Sequence, residues 1–249
     1  MSASVHIHGV EFTYPDGKKA LNGVDLEIGP GERVAIFGPN GAGKTTLALH
    51  LNGILEPSAG SITVGGLPVV ETNFAEIRRM VGLVFQDPND QLFMPSVQED
   101  VGFGPANLGI SGEELAKRID IALDIVGGGE FADRPPHHLS GGEKRRAALA
   151  TVLAMTPDVL VFDEPSSGLD PAGRRDLIET LAGLPMTQLI ITHDLPLALE
   201  LCDRSVIMNQ GKVVADDATR GLLGNDDLLA ANSLEPPYGF DHVQKPPRR

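Results

Sequence analysis

Residues 38–46 read GPNGAGKTT, and Gly38 to Thr45 fill the pattern G-x-x-x-x-G-K-[ST]. In such a turn Gly41 and Gly43 let successive backbone N–H groups point at phosphate oxygens. Lys44 would reach the β- and γ-phosphates of a nucleoside triphosphate, and the Thr45 hydroxyl would face Mg²⁺. Pro39, Asn40, Ala42 and Thr46 complete the candidate phosphate-binding stretch. A second group of chemical interest lies at residues 159–165, VLVFDEP. Four apolar residues form a buried strand, and Asp163 and Glu164 emerge at its carboxyl end, the edge where open α/β sheets gather ligands. Asp163 is a candidate Mg²⁺ ligand, directly or through water. Glu164 is a candidate to orient or deprotonate an attacking water. A third stretch, LSGGEKRR (139–146), is again suited to an anion. Ser140 can cap a helix, Gly141 and Gly142 bare the backbone, and positive charge follows. One chain thus carries two anion-binding turns nearly a hundred residues apart.

These residues need a frame. RVAIF (33–37) is a short apolar run leading into the glycine loop, and TTLALHLNGIL after it has helical character. VHIHGVEF and LNGVDLEI alternate on either side of the turn YPDG, SITVGG (61–66) is a further strand and turn, and a buried strand is expected at 81–85. Residues 88–156 change character, with apolar positions every three or four residues in SGEELAKRIDIALDIV and GGEKRRAALATVLAM, and read as a mostly helical subdomain. Both SGEE (111–114) and SGGE (140–143) fit a capping box. VLVF, LIIT (189–192), SVIM (205–208) and KVVA (212–215) then bring strands back, with helical patterns between the first three. That alternation predicts a parallel sheet with right-handed crossovers. Residues 1–234 are expected to form one domain, and the Pro-rich stretch 235–249 a flexible tail or one that lies on a partner.

Composition narrows the classes. With 249 residues, 41% of them apolar, one core with a sizeable subdomain is expected. The single cysteine, Cys202, excludes an internal disulfide and suits a reducing compartment. The N-terminus MSASVHIHGV has no basic segment followed by an apolar one, so it is read as no signal peptide. No run approaches the roughly 18 apolar residues that cross a bilayer. A net charge of −14 lacks the basic footprint of a nucleic-acid binder. It does not oppose a nucleotide, because exposed charges are screened beyond about 8 Å at physiological salt.

Taken in order, these motifs resemble the ABC-type ATPases, from about Val5 to Ala215. The resemblance implies an α/β fold: a P-loop NTPase (RecA-like) parallel-sheet core with an N-terminal antiparallel β subdomain and a helical signature subdomain. It implies that Gln86 is the Q-loop glutamine, touching Mg²⁺ and the transport subunit, and that LSGGE is the signature. It also makes Asp170 in SSGLD the D-loop residue at a dimer seam, His193 in ITHDL the switch histidine on the γ-phosphate, and Tyr14 the aromatic stacked on adenine. By residue type alone, Gln86 and His193 could be polar residues ending strands, Asp170 a helix cap, and Tyr14 a packed turn aromatic. Their order favours the functional reading. Glu143 stands where the family more commonly has Gln. It is counted with the nucleotide-facing signature residues, and its carboxylate is also expected to turn back on Ser140.

Such ATPases pair head to tail, so the resemblance implies that Ser140, Gly141 and Gly142 of one chain close over the ATP held by Lys44 of another. One complete motif set implies a homodimer with two competent sites. QDPNDQLF (86–93), PHHLSGGEKRRAALATVLAM, SSGLDPAGRR and THDLPLALELCDR resemble the ATPases of energy-coupling-factor importers, most of all the cobalt or nickel branch. The implied partners are a transmembrane coupling subunit, touched by Gln91 to Asp100, and a substrate-binding membrane subunit. The chain would lie peripherally on the cytoplasmic face, in contact with the membrane through these partners only. Rival readings are a vitamin importer, a soluble DNA-linked ATPase and an inactive interaction module. His6 and His8 alternate with Val5 and Ile7 and read as a solvated strand face rather than a metal site.

Overall fold

The computed structural model describes residues 2–240. In chain order the first half runs β1 (Val5–Thr13), β2 (Lys19–Ile28), β3 (Arg33–Phe37), α1 (Lys44–Leu51), β4 (Ala59–Val64), β5 (Leu67–Pro68), α2 (Phe74–Met80) and β6 (Val81–Val84). Three helices follow: α3 (Val97–Asn107), α4 (Gly112–Ile125) and α5 (Gly141–Leu153). The second half runs β7 (Val159–Asp163), α6 (Pro171–Gly183), β8 (Thr187–Ile191), α7 (Leu195–Leu201), β9 (Arg204–Asn209), β10 (Lys212–Ala218), α8 (Thr219–Leu223) and α9 (Asp226–Ala231).

Two sheets form, in the orders β2-β1-β4-β5 and β10-β9-β3-β8-β7-β6. The first is antiparallel; in the second β9, β3, β8, β7 and β6 are parallel, and β10 closes one edge as an antiparallel hairpin. The fold is therefore an α/β cassette with a parallel core and an N-terminal antiparallel sheet.

The parallel strands are buried on both faces, and their period of two divides the core. Ala35, Phe37, Leu160, Phe162 and Ile190 face the layer containing α5, α6 and α7. Val34, Ile36, Val161, Leu189 and Ile191 face Leu47 and Leu51 of α1 and the antiparallel sheet. Each parallel strand is thus clamped between two layers, which fixes what its carboxyl end presents. Cys202, at the end of α7, is buried, and burial pushes its thiol up to about 12. It should stay unmodified by a thiol reagent in the native chain and react only on unfolding, as mass spectrometry before and after denaturant would register.

Several local expectations change. Ser111 does not cap α4: Gly112 enters that helix at φ 62°, in the left-handed region, and the Ser111 hydroxyl makes no cap bond. Helices α2, α8 and α9 carry no marked pattern in the sequence, and α3 falls in the segment expected to be helical without a clear pattern of its own. In α3, Gly102, Gly104 and Pro105 blur the helical pattern, while Ser96 marks its start by accepting the Glu99 N–H. The described part of the tail, residues 235–240, has no helix or strand, and Phe240 packs against the core. The rest of the tail, 241–249, lies outside the described residues.

Candidate active site

The glycine loop joins β3 to α1 at the carboxyl edge of the parallel sheet. Gly43 has φ 101°, and a Cβ there would run into the Ala20 carbonyl. Gly38 has φ 141°, and a Cβ would overlap the Met208 carbonyl. Neither position admits a side chain, so the loop can wind tightly there. Gly43 precedes α1 without any side-chain cap, which leaves the first-turn N–H groups of the helix available to an anion. Lys44 Nζ donates to the Gly38 carbonyl at 2.7 Å and the Pro39 carbonyl at 3.1 Å. Burial holds its pKa below the ordinary lysine value, with the Glu164 and Asp163 carboxylates opposing that shift. A poorly solvated ammonium tethered over the loop is well placed to pair with phosphate.

Strand β7 delivers the carboxylates. The Thr45 hydroxyl donates to Asp163 Oδ2 at 2.6 Å, an all-oxygen pair. Glu164 follows with φ 50°, left-handed for a residue with a side chain. That turn sends its carboxylate to the end of β8, where Oε2 accepts the His193 N–H at 3.1 Å and the Thr192 hydroxyl at 3.4 Å. His193 Nε2 stands 3.3 Å from Glu164 Oε1, off the line of a hydrogen bond. The next residue, Asp194, caps α7 through the Leu197 N–H and holds Arg174 by two bonds of 2.6 and 3.0 Å. Burial alone would raise the Asp194 pKa, but Arg174 and the cap keep it below the ordinary value. The loop bearing His193 is therefore anchored from behind.

These groups line one cleft of about 560 Å³ that brings together Tyr14, Asn40 to Thr46, Gln86, Asp163, Glu164 and His193. Lys18, Ser166 and Ser167 also line it and were not read from sequence. Tyr14 lies edge-on to Phe12, with ring centroids 4.9 Å apart, and its hydroxyl shares a 3.0 Å hydrogen bond with Thr46 Oγ1. Gly38 and Pro39 are not on the wall; their carbonyls tether Lys44 instead.

Ser140, Gly141, Gly142, Glu143 and Asp170 line a separate cleft of about 440 Å³. Ser140 caps α5, and a full capping box forms: Glu143 Oε2 accepts the Ser140 N–H at 2.7 Å, and Ser140 Oγ accepts the Glu143 N–H at 3.3 Å. Glu143 Oε1 pairs with Arg134 at 2.8 Å. The Ser140 N–H, its hydroxyl and Arg134 hold the Glu143 pKa below the ordinary carboxylate value. The Glu143 carboxylate is thus engaged within its own chain rather than aimed at a phosphate. Asp170 caps α6 by accepting the Gly173 N–H at 2.8 Å.

Within the segment expected to meet a coupling partner, Gln91 to Asp100, the two end residues bond within the chain. Gln91 bonds the Ala148 carbonyl (2.8 Å) and the Thr151 hydroxyl (2.6 Å), and Asp100 is buried, accepting the Phe93 and Met94 N–H groups at 3.0 Å each. They brace the segment, which exposes Phe93, Pro95, Gln98 and Glu99; Phe93 is 63% accessible and edge-on to the exposed Phe103 at 5.0 Å.

The family described as ABC transporter matches residues 21–167 of this chain. A Streptomyces coelicolor protein named as an ABC transporter ATP-binding protein is 61% identical over 239 residues, covering 96% of this chain and 92% of its own. This chain belongs to the ABC transporter ATPases. It is also 46% identical to the energy-coupling factor transporter ATP-binding protein EcfA of Carboxydothermus hydrogenoformans, over 95% of this chain and 88% of that one. Among solved structures, cbiO1 of Clostridium perfringens, part of the ABC transporter complex cbiONQ, aligns with a TM-score of 0.81 at 37% identity, covering 91% and 93% of the two chains. A dimeric ATP-binding cassette, MJ0796, in a post-hydrolysis state with ADP and Pi, aligns at 0.78 and 30% identity, covering 87% and 99%. This ABC protein is an ATP-binding ATP hydrolase of the P-loop class. Among its described residues no helix is long and apolar enough to cross a membrane.

Proposed function

We propose that the chain is the ATP-hydrolysing subunit of an energy-coupling-factor importer for cobalt or nickel ions, held peripherally at the cytoplasmic face by membrane partners. The observation that carries the reading is the division of the two anion turns. Lys44, Asp163, Glu164 and His193 share one cleft, while the Ser140 turn opens on another. A turn that opens on a cleft other than its own chain's glycine-loop cleft is explained if two chains pair head to tail, each offering the Ser140 turn to the other's ATP. Intact γ-phosphate then holds two surfaces together, and cleavage releases them.

Within one cleft, Lys44 and the loop N–H groups bind the phosphates, and Tyr14 stacks on the base. Glu164, held by the His193 N–H, orients a water for in-line attack on the γ-phosphorus and takes its proton, and His193 bears on the γ-phosphate. Thr45, Asp163 and Gln86 would hold Mg²⁺. The oxygen donor set fits, since this ion is usually bound through one or two carboxylates and substrate phosphates. When bound, the ion neutralises charge developing on the phosphate oxygens.

The importer assignment draws support from EcfA and cbiO1 among the similar proteins. The Phe93–Phe103 pair is the surface we assign to the transmembrane coupling subunit, beside which a substrate-binding membrane subunit would complete the complex. Two measurements test the proposal. A non-hydrolysable ATP analogue should convert the chain to a dimer, and an unchanged monomer, even with membrane partners present, would contradict head-to-tail pairing. Uptake assays on the assembled complex should show cobalt or nickel transport; vitamin uptake without metal uptake would reject the cargo.

A further inference from the structure

We propose that Arg145 is a positioning residue: from the helix that carries the Ser140 turn, it holds Glu164 in its own chain's cleft in the hydrolytic conformation. The inference rests on the reading of Glu164 as the water-orienting carboxylate. Arg145 lies in the second turn of α5, whose capped start is the anion turn facing the other cleft. Arg145 itself lines that second cleft, and its guanidinium reaches from there to carbonyls beside the first. Nη1 donates to the Glu164 carbonyl at 2.9 Å, and Nη2 donates to the Ser167 carbonyl at 2.7 Å and, at 3.5 Å, to the Gln86 carbonyl. One planar cation thereby gathers the end of β7, the turn after it and the loop after β6.

The need for such a tie is visible at Glu164. A side-chain-bearing residue at φ 50° persists only where its surroundings over-determine it. Its N–H is fixed by the Ile191 carbonyl at 2.8 Å, and its carbonyl by the Ser167 N–H at 3.2 Å and by Arg145. Without the guanidinium the Glu164 carbonyl keeps only the longer Ser167 N–H bond, and a rotation of that peptide would carry the carboxylate off the His193 N–H. Arg145 Nε is buried with no acceptor, so the fork is not held by a shell of bonds to its own helix. Burial lowers the Arg145 pKa while Asp87 and Glu164 oppose that shift, and guanidinium remains charged in proteins. A fixed fork suits three carbonyls at set angles, where a lysine ammonium offers one mobile point charge. Because the same helix begins at the anion turn, a shift of α5 when that turn engages a second nucleotide reaches Glu164 through Arg145.

The test uses the full chain and single-turnover ATP hydrolysis. Arg145→Met keeps the stem and removes the donors. It should lower the rate on the order of 100-fold, the scale of a misplaced reacting group, and leave KM for ATP unchanged. Arg145→Lys should fall between Met and wild type. In a Glu164→Gln background, Arg145→Met should cost little more, because both changes remove one function. Near-wild-type turnover in Arg145→Met, a rise in KM alone, or an equal loss in both backgrounds would overturn the proposal. Thermal unfolding of each variant screens for misfolding, and Arg145→Lys serves if Arg145→Met does not fold. Full activity in Glu164→Gln alone would overturn the underlying reading and this inference together, whereas an inactive Glu164→Gln beside a normal Arg145→Met rejects only the role of Arg145.

Discussion

Glu164→Gln is expected to bind ATP and dimerise normally, yet to hydrolyse it about 100- to 1000-fold more slowly, a barrier increase of about 3–4 kcal/mol. The substitution keeps shape and one carbonyl oxygen, so the bond from the His193 N–H to the Oε2 position can persist. What it removes is a negative charge and an acceptor basic enough to take a proton from water. The proposed phosphate contacts lie elsewhere, at Lys44 and the loop N–H groups, so affinity has no reason to fall. It should rise slightly, because one carboxylate facing an anionic substrate is gone. The variant should therefore accumulate as an ATP-bound dimer, visible by size-exclusion chromatography with Mg²⁺ and ATP, while phosphate release falls to near background. Turnover close to wild type would falsify the assignment of Glu164. A variant that neither binds ATP nor dimerises would point instead to a structural role at the β7 edge.

Much of this was legible in the sequence because the signals are local. A strand, a glycine loop and a helix occupy 19 consecutive residues, Arg33 to Leu51, and the positive φ values of Gly41 and Gly43 follow from their lack of a Cβ. The strand before Asp163 announces itself as four apolar residues buried on both faces. The Ser140–Glu143 capping box was legible for the same reason, while the identical logic failed at Ser111 because Gly112 took a left-handed turn that no spacing rule predicts. What stayed hidden depends on long-range side-chain contacts to the backbone. The partners of Arg145 are carbonyls of Gln86, Glu164 and Ser167, and a carbonyl is the same in every residue type, so no pattern marks the pairing. The inward bonds of Gln91 and Asp100 were hidden in the same way. These polar residues satisfy backbone groups inside, while Phe93 stays outside. The chain's own sequence could raise the question of two anion turns; the separate clefts give that question its geometric form.

Lys44→Ala should fail earlier in the cycle, at binding. In the wild-type chain the ammonium is buried, its pKa is pulled down by desolvation, and it is held by the Gly38 and Pro39 carbonyls beside the Asp163 and Glu164 carboxylates. A bound triphosphate supplies the full negative charge that such a partly solvated cation lacks, so the pair forms with little loss of hydration on the protein side. Charge-assisted hydrogen bonds of this kind contribute about 1.5–3 kcal/mol, which corresponds to roughly a 10- to 150-fold weaker Kd when the donor is removed. The loss should be larger for ATP than for AMP, because the contacts proposed for Lys44 are with the β- and γ-phosphates, which AMP lacks. Isothermal titration of the two nucleotides against wild type and variant makes the comparison. Removing the side chain also leaves two carboxylates without their neighbouring cation, so residual ATP affinity should recover partly in Lys44→Ala combined with Glu164→Gln. Equal losses for ATP and AMP would place the effect in the fold of the loop rather than at the phosphates, and unchanged ATP affinity would reject the assigned contact outright.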